Sequence, residues 1–258
     1  MFNLIVTCVG SKNFEGPSIH DVIDVLLKQG INNDVEALFA TWKNKLTEHK
    51  SISHRTQAAY VYKGPVWNPS IEAFEMIKGP RNLWIISCGY GFINYKEEIS
   101  GYHATFKPRV EDTLLRNDFF SAMGKKDVKK QWWNLLISKG IVDTNIPKSI
   151  HGLVNDSKAD DVVMLAAGSD YIEAIYDDIA MIDISDHMPK LVLIGVQKSG
   201  DYYIPDVPKK IRPFVIPYSD GRKLREFLGC GAIQIHPKTA SLLINKYNKT
   251  GKIEFDLP

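Results

Sequence analysis

Four short stretches, NLIVTC (3 to 8), LWIIS (83 to 87), VVMLAA (162 to 167) and LVLIGV (191 to 196), are apolar almost without interruption. A strand with one face in water alternates apolar and polar residues, whereas a strand covered on both faces has no need to. Runs of this kind belong in a sheet with helices on both sides. AAYVY (58 to 62), FVIPY (214 to 218) and AIQI (232 to 235) extend the series. Helix-patterned segments lie at 18 to 29, 34 to 48, 69 to 78, 125 to 139, 169 to 181, 219 to 229 and 237 to 247. Two of these carry start signals: Pro69 after Asn68, and the pair Ser219 and Asp220. The expected fold class is α/β, a doubly wound, mainly parallel sheet flanked by helices.

With 258 residues, 44% of them hydrophobic, the chain suits one sizeable core. A single domain over 1 to 258 is expected, with a polar, turn-rich internal loop at 141 to 160. Thirty-two Lys and Arg against thirty Asp and Glu leave a net charge of +2, too even to identify a polyanion partner. Any nucleic-acid face must be a local cluster. Cys8, Cys88 and Cys230 are odd in number and lack metal-ligand spacing, which points to a reducing cytoplasm and no metal. The first apolar run is too short for a membrane or secretory segment, so no membrane partner is expected. GYGF (89 to 92) has neither the GxGxxG spacing of a dinucleotide fold nor a P-loop ending. The expectation is a monomer without a cofactor.

Ligands of open α/β sheets sit beyond the carboxyl ends of the strands. Those ends read Cys8-Val9-Gly10-Ser11-Lys12-Asn13, Tyr62-Lys63-Gly64-Pro65-Val66-Trp67-Asn68, Ser87-Cys88-Gly89-Tyr90-Gly91-Phe92 and Gly168-Ser169-Asp170-Tyr171. Glycine lets backbone N–H groups approach a ligand, and Lys12 and Lys63 supply cations for an anionic group. Each glycine alone reads equally well as a tight turn, but four such loops together point to a site. EEISGYHATFKPRVEDTLL (97 to 115) follows neither periodicity and gathers Tyr102, His103, Thr105, Phe106, Arg109, Glu111 and Asp112 in one excursion. Such a loop can stack a flat ring and hold a charge beside it.

ISCGYGFI (86 to 93), ISGYHATF (99 to 106), EDTL (111 to 114) and QWWNLL (131 to 136) carry a resemblance. Together with the lysine after the first strand and the Y-x-G-x-x-W run, they resemble a family of bacterial and phage proteins with the pattern lIsAGyGLi, pYsATF, DsV, WW. That family is distantly similar to the YaaA peroxide-stress proteins and to uracil-DNA-glycosylase-like domains attached to enzymes of deazaguanine modification. The resemblance covers residues 1 to about 140. Cys88 departs from the pattern's alanine, and Thr113-Leu114 from its Ser-Val.

Some members occur with anti-phage systems. The resemblance implies a uracil-DNA-glycosylase-like fold and a DNA N-glycosylase that excises a hypermodified phage base, such as glucosylated hydroxymethylcytosine, and leaves an abasic site. It makes Asp112 the carboxylate that stabilises an oxocarbenium-like sugar or orients a water. His103, Tyr102 and the backbone of Ser87 to Gly89 would meet the departing base, with Tyr90 and Phe106 stacking on it. Cys8, Ser11, Lys12, Lys63, Trp67, Gly91 and Thr105 complete the substrate-binding set.

Plainer roles stand beside these. Asp112 also reads as a helix N-cap before TLLRNDFF, His103 as a loop histidine, and Asp170 as a first-turn residue that favours a helix dipole. Asp170 is nevertheless the second catalytic candidate, because the same position faces the strand ends. Cys8 and Cys88 read as buried small residues or as thiols near Lys12.

Lys125, Lys126, Lys129 and Lys130 fall within about two helical turns and form a candidate DNA-binding face, with one of Trp132 and Trp133 in the core and the other partly exposed. Lys209, Lys210, Arg212 and Arg222 form a second candidate set, with Tyr202 or Tyr203 as a wedge. A solvated charged surface is the alternative. The same features fit a base-exchanging ribosyltransferase or a non-enzymatic DNA-binding, damage-sensing module.

Overall fold

The computed structural model describes residues 1–53, 55–141, 147–253 and 256–258. The first half runs β1 (Phe2–Thr7), α1 (Ile19–Lys28), α2 (Val35–Ile52), β2 (Thr56–Gln57), α3 (Ala58–Val61), α4 (Trp67–Met76), β3 (Arg81–Ser87), β4 (Gly91–Asn94) and β5 (Glu98–Ile99). The second half runs α5 (Lys125–Lys139), α6 (Ile150–Asp156), β6 (Val162–Ala166), α7 (Ser169–Ala174), α8 (Tyr176–Ala180), β7 (Lys190–Ile194), β8 (Gln197–Ser199), β9 (Tyr202–Ile204), α9 (Gly221–Leu228) and α10 (Ile235–Thr250).

A five-stranded sheet has the order β4-β3-β1-β6-β7. β3, β1, β6 and β7 are parallel neighbours, and β4 pairs antiparallel with β3. All of β1 and β6 is buried, as their unbroken apolar sequences require. α10 packs on α4 and touches β6 and β7, while α5 packs on α2, α7, α8 and β4. The protein is thus an α/β fold with a mainly parallel sheet flanked by helices. Among the described residues no helix is long and apolar enough to cross a membrane.

The strand order decides where a crevice can form. From β1 the next parallel strand lies on one side, at β3, and the following one on the other, at β6. Loops leaving the carboxyl ends of β1 and β6 therefore diverge, and this topological switch point is where doubly wound sheets bind ligands.

Three expected strands take other forms. Residues 58 to 61 are a helical turn. FVIPY only bridges β7 and the residues after it, at Leu193 with Val215 and Gln197 with Tyr218, because Pro213 and Pro217 donate no ladder hydrogen bonds. AIQI coils as a 3-10 turn into α10. Of the expected loop at 141 to 160, residues 142 to 146 lie outside the described residues, and Ile150–Asp156 is a helix capped by the Ser149 side chain.

Candidate functional site

Two cavities adjoin at the switch point. The first, about 300 Å³, is walled by the end of β1 (Thr7, Cys8), the start of α7 (Ser169, Asp170), Gly195 and His236. The second, about 290 Å³, is walled by Ser11, Lys12, Lys63, Thr105, Lys107 and Asp112. Val9, Val66, Lys107 and Ile233 border both, which makes them one cleft. Gly195 is required at its floor: φ is +98°, and a Cβ there would lie 2.0 Å from the carbonyl oxygen of Ala167.

Asp112 stands in the second cavity without any helix to cap. The segment after it is irregular, held by Leu114 N–H donating to Thr105 O (3.0 Å), while Thr105 N–H donates to Asp112 O (2.9 Å). The Asp112 carboxylate accepts from Ser18 Oγ at 3.1 Å and lies 3.3 Å from His103 Nδ1. His103 Nε2 is 3.2 Å from Glu15. Backbone bonds from His103 N to Pro17 O and from Ile19 N to His103 O, both 2.8 Å, tie the main chain of His103 to the start of α1. His103 is thus a partner of Asp112 at the edge of the cleft.

Lys12 is 8% exposed, with its ammonium 4.2 Å from the centre of the Tyr102 ring and 3.2 Å from the carbonyl oxygens of Val9 and Gly10. Burial pushes its pKa down, against the opposing pull of the Cys8 and Cys88 thiols and of Asp112. Its side chain stabilises the β1 loop and brings a positive charge to the cavity wall.

Asp170 borders the first cavity and takes a hydrogen bond of 2.6 Å from Lys129, which also reaches Glu173 at 2.8 Å. Cys8 Sγ lies 3.2 Å from the Tyr171 hydroxyl in the same wall. His236 was not singled out by the sequence. Burial, helped by Lys107, lowers its pKa to about 4, so its imidazole is neutral at pH 7, and its enclosed Nε2 has no hydrogen-bond partner. Lys107 was also missed, because nothing in ATFKPR shows that it reaches both cavities.

The glycine-tyrosine segment has a different fate from the one expected. Ser87, Tyr90, Tyr102 and Phe106 are buried core residues, out of reach of a ligand in the cleft. The Tyr102 hydroxyl bonds Ser87 Oγ at 2.7 Å and Tyr62 at 3.1 Å, and the Tyr90 hydroxyl bonds Ser100 Oγ at 2.9 Å. Phe106 meets Tyr171 edge to face at 5.3 Å beneath the cleft. Gly89 and Gly91 form the tight connection from β3 to β4, where Gly89 underlies the Tyr102 ring. Cys88 is buried, and burial raises its thiol pKa well above the ordinary value. Trp67 is buried too, and borders a separate groove.

The expected basic face of α5 is mostly neutralised. Lys129 is buried between Asp170 and Glu173, Lys126 pairs with Glu173 at 3.8 Å, and Lys130 pairs with Asp177 at 3.2 Å. Lys125 alone of the four has no acidic partner among these ion pairs and stays exposed at the helix start. Trp132 and Trp133 are both buried, donating to Cys88 O and to the Asp178 carboxylate respectively. In the second set, Lys210 donates to Ile182 O, Arg212 pairs with Asp206, and Arg222 pairs with Glu226, while Lys209 is exposed. Tyr202, 77% exposed, tips the β8–β9 hairpin, whose Gln197 and Ile204 border the first cavity. Tyr203 is covered by Lys198 and Arg212.

No protein-family model, curated protein or solved structure matches the chain.

Proposed function

We propose that the protein is an N-glycosylase that hydrolyses the bond between a modified nucleobase and its deoxyribose, with DNA as its partner and an abasic site as product. A uracil-DNA-glycosylase-like fold and a role in anti-phage defence belong to the same reading and rest on the sequence resemblance. The observation that carries it is Asp112, a carboxylate that shares one switch-point cleft with Lys12, Lys63 and Lys107. A polyanionic sugar substrate needs that combination: cations to receive phosphate, and one fixed anion to face the charge that develops on the sugar.

As the C1′–N bond breaks, its electron pair leaves with the base and C1′ becomes cationic. The carboxylate of Asp112 stabilises that cation and orients a water. The water oxygen bonds to C1′, and its proton passes to the Asp112–His103 pair, whose groups lie 3.3 Å apart, and from there to the departing base anion. The base occupies the first cavity. There Asp170, which already takes a hydrogen bond from Lys129, accepts another from an exocyclic amino group, and neutral His236 adds no charge. Asp170 therefore recognises the base while Asp112 assists the chemistry.

The test is Asp112→Asn, assayed on DNA from phages with normal and hypermodified bases, with abasic sites and free base scored by mass spectrometry. Base release should fall at least about 100-fold, while folding and DNA binding persist. Full turnover in the variant would remove Asp112 from the mechanism. DNA binding without abasic product in the wild type would identify a binding module instead.

A further inference from the structure

A third cavity, about 610 Å³, opens beside the cleft, and Lys63 borders both. Its walls are aromatic: Tyr60, Trp67, Phe74 and Tyr95 all line it. Trp67 packs 4.9 Å from Tyr62, and its indole N–H donates to Ala59 O at 3.1 Å, so the inner wall is fixed. Tyr95 sits 5.2 Å from Phe74, itself covered by the Arg81 guanidinium. Tyr60 is different. It is 64% exposed, although Asn13 Nδ2 anchors its carbonyl at 2.7 Å. The backbone under this ring is pinned while most of the ring is open to solvent.

We propose that this groove receives the base of the nucleotide next to the one held in the cleft, with the Lys63 ammonium against the phosphodiester between them. The inference rests on the nucleic-acid reading of the cleft. A flat base needs an exposed ring to lie against, and Tyr60 provides one. Glu72 and Glu75 also line the groove, and carboxylates only accept hydrogen bonds, so they favour a base with an exocyclic amino group, which offers two N–H donors, over thymine, which offers one. A base can reach this groove only when it is unstacked from its neighbour. Two adjacent nucleotides in separate cavities therefore require a single strand, or a duplex already opened at that point.

The experiment uses unmodified single-stranded hexamers of deoxycytidine and of thymidine, and the deoxycytidine hexamer in a duplex, with affinities measured by fluorescence anisotropy at fixed salt. The wild type should bind the single-stranded deoxycytidine hexamer most tightly. Tyr60→Ala should weaken that binding by about 5- to 150-fold, the range of one lost base–aromatic stack. Glu75→Gln should reduce the preference for cytosine over thymine. Equal wild-type affinity for the three probes, no binding of any of them, or unchanged affinity in Tyr60→Ala would overturn the proposal. The two readings fail separately. Context-free base release that persists in Tyr60→Ala discards the groove and keeps the glycosylase, whereas selective hexamer binding without base release does the reverse.

Discussion

The turns after β1 and after β3 leave neighbouring parallel strands with similar composition, yet one opens into a cleft and the other closes into the core. After β1, the chain from Cys8 to Lys12 runs on into a long connection, and the strand lies at the switch point, with space beyond its end. After β3 the chain reverses at once into antiparallel β4. The carbonyls of that turn are taken by two buried tryptophans: Trp132 donates to Cys88 O at 2.8 Å and Trp42 to Gly89 O at 2.9 Å. Tyr102 then covers Gly89. Small and glycine residues thus serve opposite ends, solvent access in one turn and ring packing in the other. Position in the strand order and the direction of the next segment make the choice.

The comparison can be broken most forcefully at Gly89. A Cβ there would meet the Tyr102 ring at 2.5 Å, so Gly89→Ala should cost about 3 kcal/mol, read by urea denaturation. Next comes Tyr102→Phe, which leaves the buried Ser87 and Tyr62 hydroxyls one partner short. A loss of about 1–2 kcal/mol is expected, with ligand binding in the cleft unchanged.

The cleft side responds to acid instead. His236 has a folded-state pKa of about 4 against an ordinary 6.5, so below pH 6.5 the unfolded chain takes up a proton that the folded chain refuses. The stability this group contributes is present above pH 6.5 and is lost as pH falls toward 4. At pH 5.5 the loss is about 1 kcal/mol, and a His236→Asn variant should show a flatter stability profile over that window. The smallest effect is expected for Gly10→Ala. A Cβ there would meet nothing within 4 Å, so the change should stay within about 0.5 kcal/mol. If it proved as damaging as Gly89→Ala, the contrast between the two turns would fail.

The central parallel strands were legible because continuous apolar runs have one good use. α5 was legible to its ends, Lys125 and Lys139. β4 was not, because GFIN is short and its role depends on pairing with β3. Of the residues that the strand-end rule singled out, Cys8, Ser11, Lys12, Lys63 and Asp170 line the cleft, as do Thr105 and Asp112 from the excursion. The tyrosines were misassigned because an aromatic beside glycine looks the same in sequence whether it lines a hollow or fills one. The lysines of α5 failed for a related reason. Their partners Asp170, Glu173 and Asp177 lie some 40 residues away, so no local pattern reveals the neutralisation.

Lys129 approaches Asp170 from a helix that contributes no residue to the cavity wall. The electrical character of that wall is therefore governed from behind, by a side chain that a molecule arriving from solvent never meets. Replacing that one lysine would retune which ligands are welcome while the visible contour of the cavity stayed as it was.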